Sequence, residues 1–162
     1  MTLQLSELTS ADIWKLAHRL SLREKLAFER LAGAAYDPAA LAVRLIQNPG
    51  ISFAGRDDMG EVQAAGGFQS LRPGVWRTWF MATEDAWRHH GAAVTEITAG
   101  VIARMLAEDL AHRIETVTLA DAKVARRWYE RIGLSYESTL RGYVNVDTDA
   151  VMYAAVKTQE RA

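Results

Sequence analysis

The sequence predicts an α/β protein with a mixed (α+β) sheet, in which antiparallel strands come first and one parallel step follows. Three observations predict it. The chain has 162 residues, 49% of them hydrophobic, which suffices for one packed core but not comfortably for two. Residues 1–162 therefore read as a single domain. Between 51 and 82 the texture is strand-like and broken only by short turns, the pattern of an antiparallel meander. From 75 to 119 a strand, a long helix and a strand succeed one another, which implies a parallel pair with a right-handed crossover.

Residues 2 to 8 (TLQLSEL) alternate apolar and polar as a half-buried strand does. Thr9-Ser10-Ala11-Asp12 offers helix N-cap chemistry, with Ile13, Leu16, Ala17 and Leu20 following at helical spacing. That helical region continues to Tyr36. Asp37-Pro38 opens a short helix (AALAVRLIQ), which Asn48-Pro49-Gly50 ends. ISFAGR, VQAAGGFQSL and VWRTWFMA then read as strands, joined through DDMGE and Arg72-Pro73-Gly74. After WRHHGAAV comes a long helix whose apolar stripe is Val94, Ile97, Val101 and Met105, broadened by Ile102, Leu106 and Leu110. IETVTL (114 to 119) is a strand, Asp121 can cap the helix KVARRWYERI, and Gly133 suits a left-handed C-cap. STLRGYVNV and DAVMYAAVK close the chain around Asp147-Thr148-Asp149. The expected order is β-α-α-β-β-β-α-β-α-β-β.

Composition narrows the function. Lys plus Arg number 19 against 20 Asp plus Glu, a net charge of -1, so no bulk charge draws the chain to nucleic acid or anionic lipid, and direct nucleic-acid binding is not expected. Cys is absent, which removes disulfides, thiolate nucleophiles and sulfur metal sites. Adjacent His89-His90 make a poor metal site without converging partners. The opening residues lack a leader pattern and no apolar run reaches the ~18 residues of a span. The expectation is a cytoplasmic location, or a virion if the chain is phage-encoded.

One segment looks chemical. A strand that stops at Met81-Ala82-Thr83 and feeds a helix through a glycine-containing turn presents unsatisfied amides and a positive dipole end to one point, and such a point binds phosphate. Arg88-x-x-Gly91-x-Ala93 then supplies a cation, a glycine where backbone approaches an anion, and a small residue at the helix start. The plain alternative is an ordinary helix entry with a solvated Arg.

The second half supplies context: Ala125-x-x-Trp128-Tyr129-x-x-x-Gly133-Leu134 on a helix, between two strands. With R-x-x-G-x-A after a strand, this resembles the GNAT (Gcn5-related N-acetyltransferase) superfamily, in element order over nearly the whole chain and in motifs between about 79 and 136. More narrowly, Trp79-Phe80-x-x-Thr83-x-x-x-Trp87-Arg88-x-x-Gly91 resembles GNAT-like proteins of tailed bacteriophages, of the T7-like internal virion protein A type.

The resemblance implies acetyl-CoA as co-substrate and N-acetyl transfer to a small-molecule or protein amine, by direct attack in a ternary complex and without a metal. It puts Arg88, Gly91 and Ala93 on the pyrophosphate together with the amides of His89, His90 and Ala92. It implies that the fourth and fifth strands splay, so that backbone near Phe80, Met81 and Ala82 pairs with the pantetheine arm. Tyr129 takes the place of the acid that protonates the departing thiolate. Its structural alternative is a Tyr packed beside Trp128.

Many relatives carry a general-base Glu on the strand before the pyrophosphate loop, but VWRTWFMA has no carboxylate. Glu84 and Asp85 lie just beyond it, and Glu84 is the candidate. The histidines, with unperturbed pKa near ~6.5, read as loop polarity, with His90 bordering the CoA phosphates. Asp121 stands near an Asn that in relatives contacts the cofactor, where a carboxylate would repel phosphate. Glu24, Glu29, Tyr36, Tyr143 and Asp147 offer polar contacts to an acceptor groove. The competing reading is a catalytically inactive GNAT fold with a structural, virion or DNA-ejection role. A homodimer or virion proteins are the partners considered, since the Trp-rich strand 75 to 80 suits an interface as well as a core.

Overall fold

The computed structural model describes residues 3–47 and 50–157. Its elements are β1 (Gln4–Glu7), α1 (Ser10–Arg19), α2 (Leu22–Ala32), α3 (Pro38–Gln47), β2 (Ile51–Arg56), β3 (Val62–Arg72), β4 (Val75–Ala82), α4 (Glu84–Ala107), β5 (Arg113–Leu119), α5 (Lys123–Arg131), β6 (Ser135–Asn145) and β7 (Thr148–Val156). The strands form a seven-stranded mixed sheet in the order β1-β2-β3-β4-β5-β7-β6. The expected α/β class with one parallel step is what the structure has. The parallel pair is β4 with β5, in register at Val75 with Arg113, Trp76 with Ile114 and Arg77 with Glu115. Among the described residues the ladder stops after these three pairs, although β4 runs on to Ala82 and β5 to Leu119.

Three elements differ from expectation. The first helical region is two helices, so three helices precede β2. Leu20 leaves α1 in an extended conformation, ψ 146°, and bridges to Thr83, while the Ser21 hydroxyl accepts from the Glu24 amide at 3.3 Å and starts α2 afresh. Asp121 does not cap α5: Ala122 stands at the N-cap and makes no side-chain cap bond. The third is the start of α4, described below. The Asn48-Pro49 stop falls outside the described residues, whereas its partner signal holds, since Asp37 Oδ1 accepts from the amides of Ala39 and Ala40 with Pro38 in the first turn. Gly133 has φ 92° and follows α5 as a left-handed C-cap glycine does.

The chain divides into two compact units. One comprises Met1–Gln69 and Trp79–Val94. Its core joins Ile13, Leu16, Ala17 and Leu20 of the α1 region to Leu41, Ala42 and Leu45 of α3, and to Ala54, Val62, Ala65 and Met81 of the strands. Thr9 caps α1 through a reciprocal box with Asp12, and Arg56 reaches the same carboxylate at 2.7 Å. The other unit comprises Ser70–Thr78 and Thr95–Ala162. There β7 pairs along the whole of β5, and Ile114, Leu119, Val151 and Tyr153 are fully or almost fully buried. Arg113 of β5 bonds Glu115 at 2.7 Å and Glu137, while Arg77 bonds the other Glu115 oxygen at 3.1 Å. Among the described residues no helix is long and apolar enough to cross a membrane.

Candidate active site at the end of β4

Strand β4 ends against the segment that joins α1 to α2. The Ala82 carbonyl accepts from the Ser21 amide at 3.2 Å, and the Ala82 amide donates to Glu24 Oε2 at 2.8 Å. Both backbone groups of Ala82 are thus engaged by the chain itself. Thr83 follows with its hydroxyl donating to Gln63 Oε1 at 2.7 Å and accepting from the Ala86 amide at 3.1 Å. That hydroxyl is a helix N-cap, so α4 begins at Glu84.

The early start corrects the phosphate cradle. Arg88, His89, His90, Gly91, Ala92 and Ala93 lie inside α4, where each amide from the second turn onward bonds a carbonyl of its own helix. The amides of 89, 90 and 92 therefore do not form an open nest. The exposed end of the helix carries Glu84 and Asp85, which suit its positive dipole but repel a pyrophosphate. Gly91 meets no close neighbour: a Cβ there would find only the Trp87 ring, 3.9 Å away. Arg88 and His89 are exposed. His90 is not a loop residue at all. It is 5% exposed and lies on the buried line of Ala86, His90, Val94, Thr98, Ile102 and Met105, and among the described residues its Nδ1 has no hydrogen-bond partner.

What converges on the end of β4 is Glu24. Its Oε1 accepts from the Trp87 indole at 3.0 Å while Oε2 holds Ala82. Burial pushes this carboxyl up to about 7, against the downward pull of the Ala82 amide, the Trp87 indole and the Arg23 charge, with Glu84 pushing it further up. The Arg23 guanidinium does not pair with Glu24 but lies over the Trp87 ring, 5.2 Å from its centroid. Phe80 packs on the other side of the corner, its ring centroid 5.4 Å from that of Trp87. Tyr36 donates its hydroxyl to the Ala17 carbonyl; burial, then Glu24 and Asp37, push its pKa to about 12, so it is a neutral donor.

Sequence reasoning placed Glu24 only among groove polars. A signal was there: Ser21-Leu22-Arg23-Glu24 has the spacing of a capping box, in which the Glu carboxylate returns to the Ser amide. Here that amide is taken by the Ala82 carbonyl, so the carboxylate reaches across to β4 instead. Glu84, the expected base, is exposed in the first turn of α4. Glu29 accepts from the Tyr36 amide at 2.9 Å.

In the other unit, Tyr129 is half-buried on α5, its ring 5.7 Å from both Trp128 and Tyr153. The Trp128 indole donates to Thr95 at 3.1 Å, and the Tyr153 hydroxyl sits between Arg126 Nε and Glu130 Oε1 at 3.2 and 3.3 Å. Asp121, Tyr143 and Asp147 are exposed.

No protein-family model matches the chain, and no curated protein matches it in sequence. Solved structures do match. A GNAT-family acetyltransferase from Bacillus anthracis superposes with a TM-score of 0.73 at 13% identity, over 97% of this chain and 96% of that one. The fold is that of the GNAT acetyltransferases. A GNAT-superfamily phosphinothricin acetyltransferase from Sinorhizobium meliloti, in complex with acetyl-CoA, has a TM-score of 0.66 at 13% identity and covers 99% of this chain and 91% of its own. A ribosomal alpha-N-protein acetyltransferase in complex with coenzyme A has a TM-score of 0.71 at 12% identity, over 96% and 94%.

Proposed function

We propose that the chain is an acetyl-CoA-dependent N-acetyltransferase that moves acetyl to a primary amine by direct attack in a ternary complex. The observation that carries the reading is the GNAT fold with its short parallel ladder, three pairs long, beyond which β4 continues to Ala82. Two proteins of this fold are solved with acetyl-CoA or coenzyme A. Thioester aminolysis requires a neutral amine, a positioned carbonyl and a proton for the sulfur. Tyr129 is the proton donor in this reading. Backbone at Phe80 and Met81 meets the pantetheine, and the exposed Arg88 guanidinium, beside the bare helix flank at Gly91, meets the pyrophosphate. The buried amides of α4 take no part. The acceptor is a small molecule or a protein amine.

One observation favours a second reading, in which the fold is kept without catalysis, as in a structural or virion component: α4 starts on Glu84 and Asp85 and closes its amides within the helix. Calorimetric titration with acetyl-CoA separates the two. The acetyltransferase reading expects binding by the wild type, weakened at least tenfold by Arg88→Glu and by Gly91→Glu. Absence of binding to the wild type overturns it and leaves the second.

A further inference from the structure

We infer that Glu24, supplied from α2 and held at the end of β4, is the residue that takes the proton from the acceptor ammonium; this rests on the acetyltransferase reading. Strand β4 is VWRTWFMA and brings no carboxylate of its own. The chain places one at the end of β4 by another route, since Glu24 is held there by the Ala82 amide and the Trp87 indole. Each carboxylate oxygen accepts one N–H and retains a lone pair for a further donor.

Among the described residues no cation forms an ion pair with Glu24, and the residue keeps intermediate exposure, so its charge is not neutralised by a salt bridge within the chain. The Arg23 guanidinium is occupied by the Trp87 ring face and forms no salt bridge with Glu24. The charged and titratable groups that bear on Glu24 are Arg23 on its own helix, Glu84 on α4 and Tyr36 after α2. Glu84 adds negative charge and favours the protonated form, Arg23 opposes it, and Tyr36 stays neutral. A carboxyl that titrates at about 7 is matched to proton transfer near neutral pH.

The step balances. The ammonium gives one proton to a Glu24 oxygen. The freed amine attacks the thioester carbonyl carbon, the C–N bond forms and the C–S bond breaks, the departing thiolate takes the Tyr129 hydroxyl proton, and the second amine proton restores that hydroxyl. The proton on Glu24 then returns to water.

The test compares wild type, Glu24→Gln and Glu24→Asp. Acetyl transfer from acetyl-CoA to spermidine, to a lysine peptide and to a peptide with a free α-amine is measured from pH 5.5 to 9, alongside calorimetry with acetyl-CoA. We expect Glu24→Gln to lower kcat about 100-fold or more, to abolish the rising limb near pH 7, and to leave the acetyl-CoA Kd within twofold; Glu24→Asp restores part of the rate. Carbon-13 spectra of glutamate-labelled protein show a carboxyl titrating near 7 that is missing in Glu24→Gln. An unchanged pH profile, a glutamate titrating only in the ordinary range, or loss of acetyl-CoA binding in Glu24→Gln overturns the assignment. Wild type that binds acetyl-CoA but acetylates none of the three amines also overturns it, whereas wild type that binds no acetyl-CoA overturns the acetyltransferase reading itself. Should Glu24→Gln fail to fold, the wild-type carboxyl titration and the Glu24→Asp profile decide.

Discussion

The Glu24 carboxylate and the amide of Ala82, the last residue of β4, are joined by a 2.8 Å hydrogen bond. This contact carries a pH signature. The folded-state pKa of Glu24 is raised from 4.5 to about 7, so between those values the native state binds more protons than the unfolded chain. The stability it contributes is complete below pH 4.5 and is lost as pH rises through 7. At 1.36 kcal/mol per pKa unit the change is roughly 2–4 kcal/mol. Replacing Glu24 by Gln removes the titration. The melting temperature of Glu24→Gln relative to wild type is expected to improve steadily from pH 5 to pH 8; a difference that does not vary with pH rules the linkage out.

Gly91 lies in the interior of α4, where an added Cβ would meet the Trp87 ring at an ordinary contact distance of 3.9 Å. Gly91→Ala is therefore expected to stabilise the protein by about 0.5–1 kcal/mol through helix propensity, seen as a rise of a few degrees in Tm. A glycine required by a tight turn would give the opposite sign.

Asp12 ties the cap of its own helix α1 to β2: it accepts from the Thr9 amide and hydroxyl and from Arg56. Burial raises its pKa, but the Thr9 bonds and Arg56 outweigh that and hold it below 3.8. Its contribution is present above pH 4 and lost as pH falls through the lowered value. Asp12→Ala is expected to cost about 1–3 kcal/mol at pH 7 and markedly less at pH 2.5, measured by urea denaturation at each pH.

Arg113 meets Glu115 and Glu137, and the Glu115 side chain is 10% exposed. For Glu115, burial raises the pKa, and the bonds from Arg113 and Arg77 more than offset it. Arg113→Met leaves that buried carboxylate with Arg77 alone, at an expected cost of about 2–4 kcal/mol. Adding Glu115→Leu is expected to recover at least half of the loss. A double variant no better than the single one excludes this account.

For Tyr129, substitution by Phe keeps the ring contacts with Trp128 and Tyr153 and removes the hydroxyl. In the acetyltransferase reading, turnover falls at least tenfold while acetyl-CoA affinity stays within twofold. Unchanged turnover removes Tyr129 from the mechanism.

Local patterns carried most of the fold. The strand-like stretches between turns became β2, β3, β4 and β5 within a residue or two of their expected bounds, because strand composition and turn chemistry act over neighbouring residues. The site was less legible. R-x-x-G-x-A marked a helix entry, yet the position of that entry depended on Thr83, whose hydroxyl is fixed by Gln63, twenty residues away in the chain. His90 was conspicuous in sequence and is buried, since an earlier helix start turns that position onto the apolar face.

The sequence by itself determined the α/β class, the meander, the parallel step and the caps at Thr9, Asp37 and Gly133: the caps rest on interactions within a few residues, and the element order that implies the sheet is written in local composition and turn chemistry. Tertiary structure alone decided where α4 begins and where Glu24 points. In α1 the Thr9 and Asp12 box closes on itself. In α2 the equivalent Ser21 amide is claimed by the Ala82 carbonyl, and the Glu24 carboxylate, left without its local partner, takes the next strand's amide and an indole instead. A hydrogen-bond donor has one proton to give, and which of two acceptors receives it is settled by packing between segments about sixty residues apart.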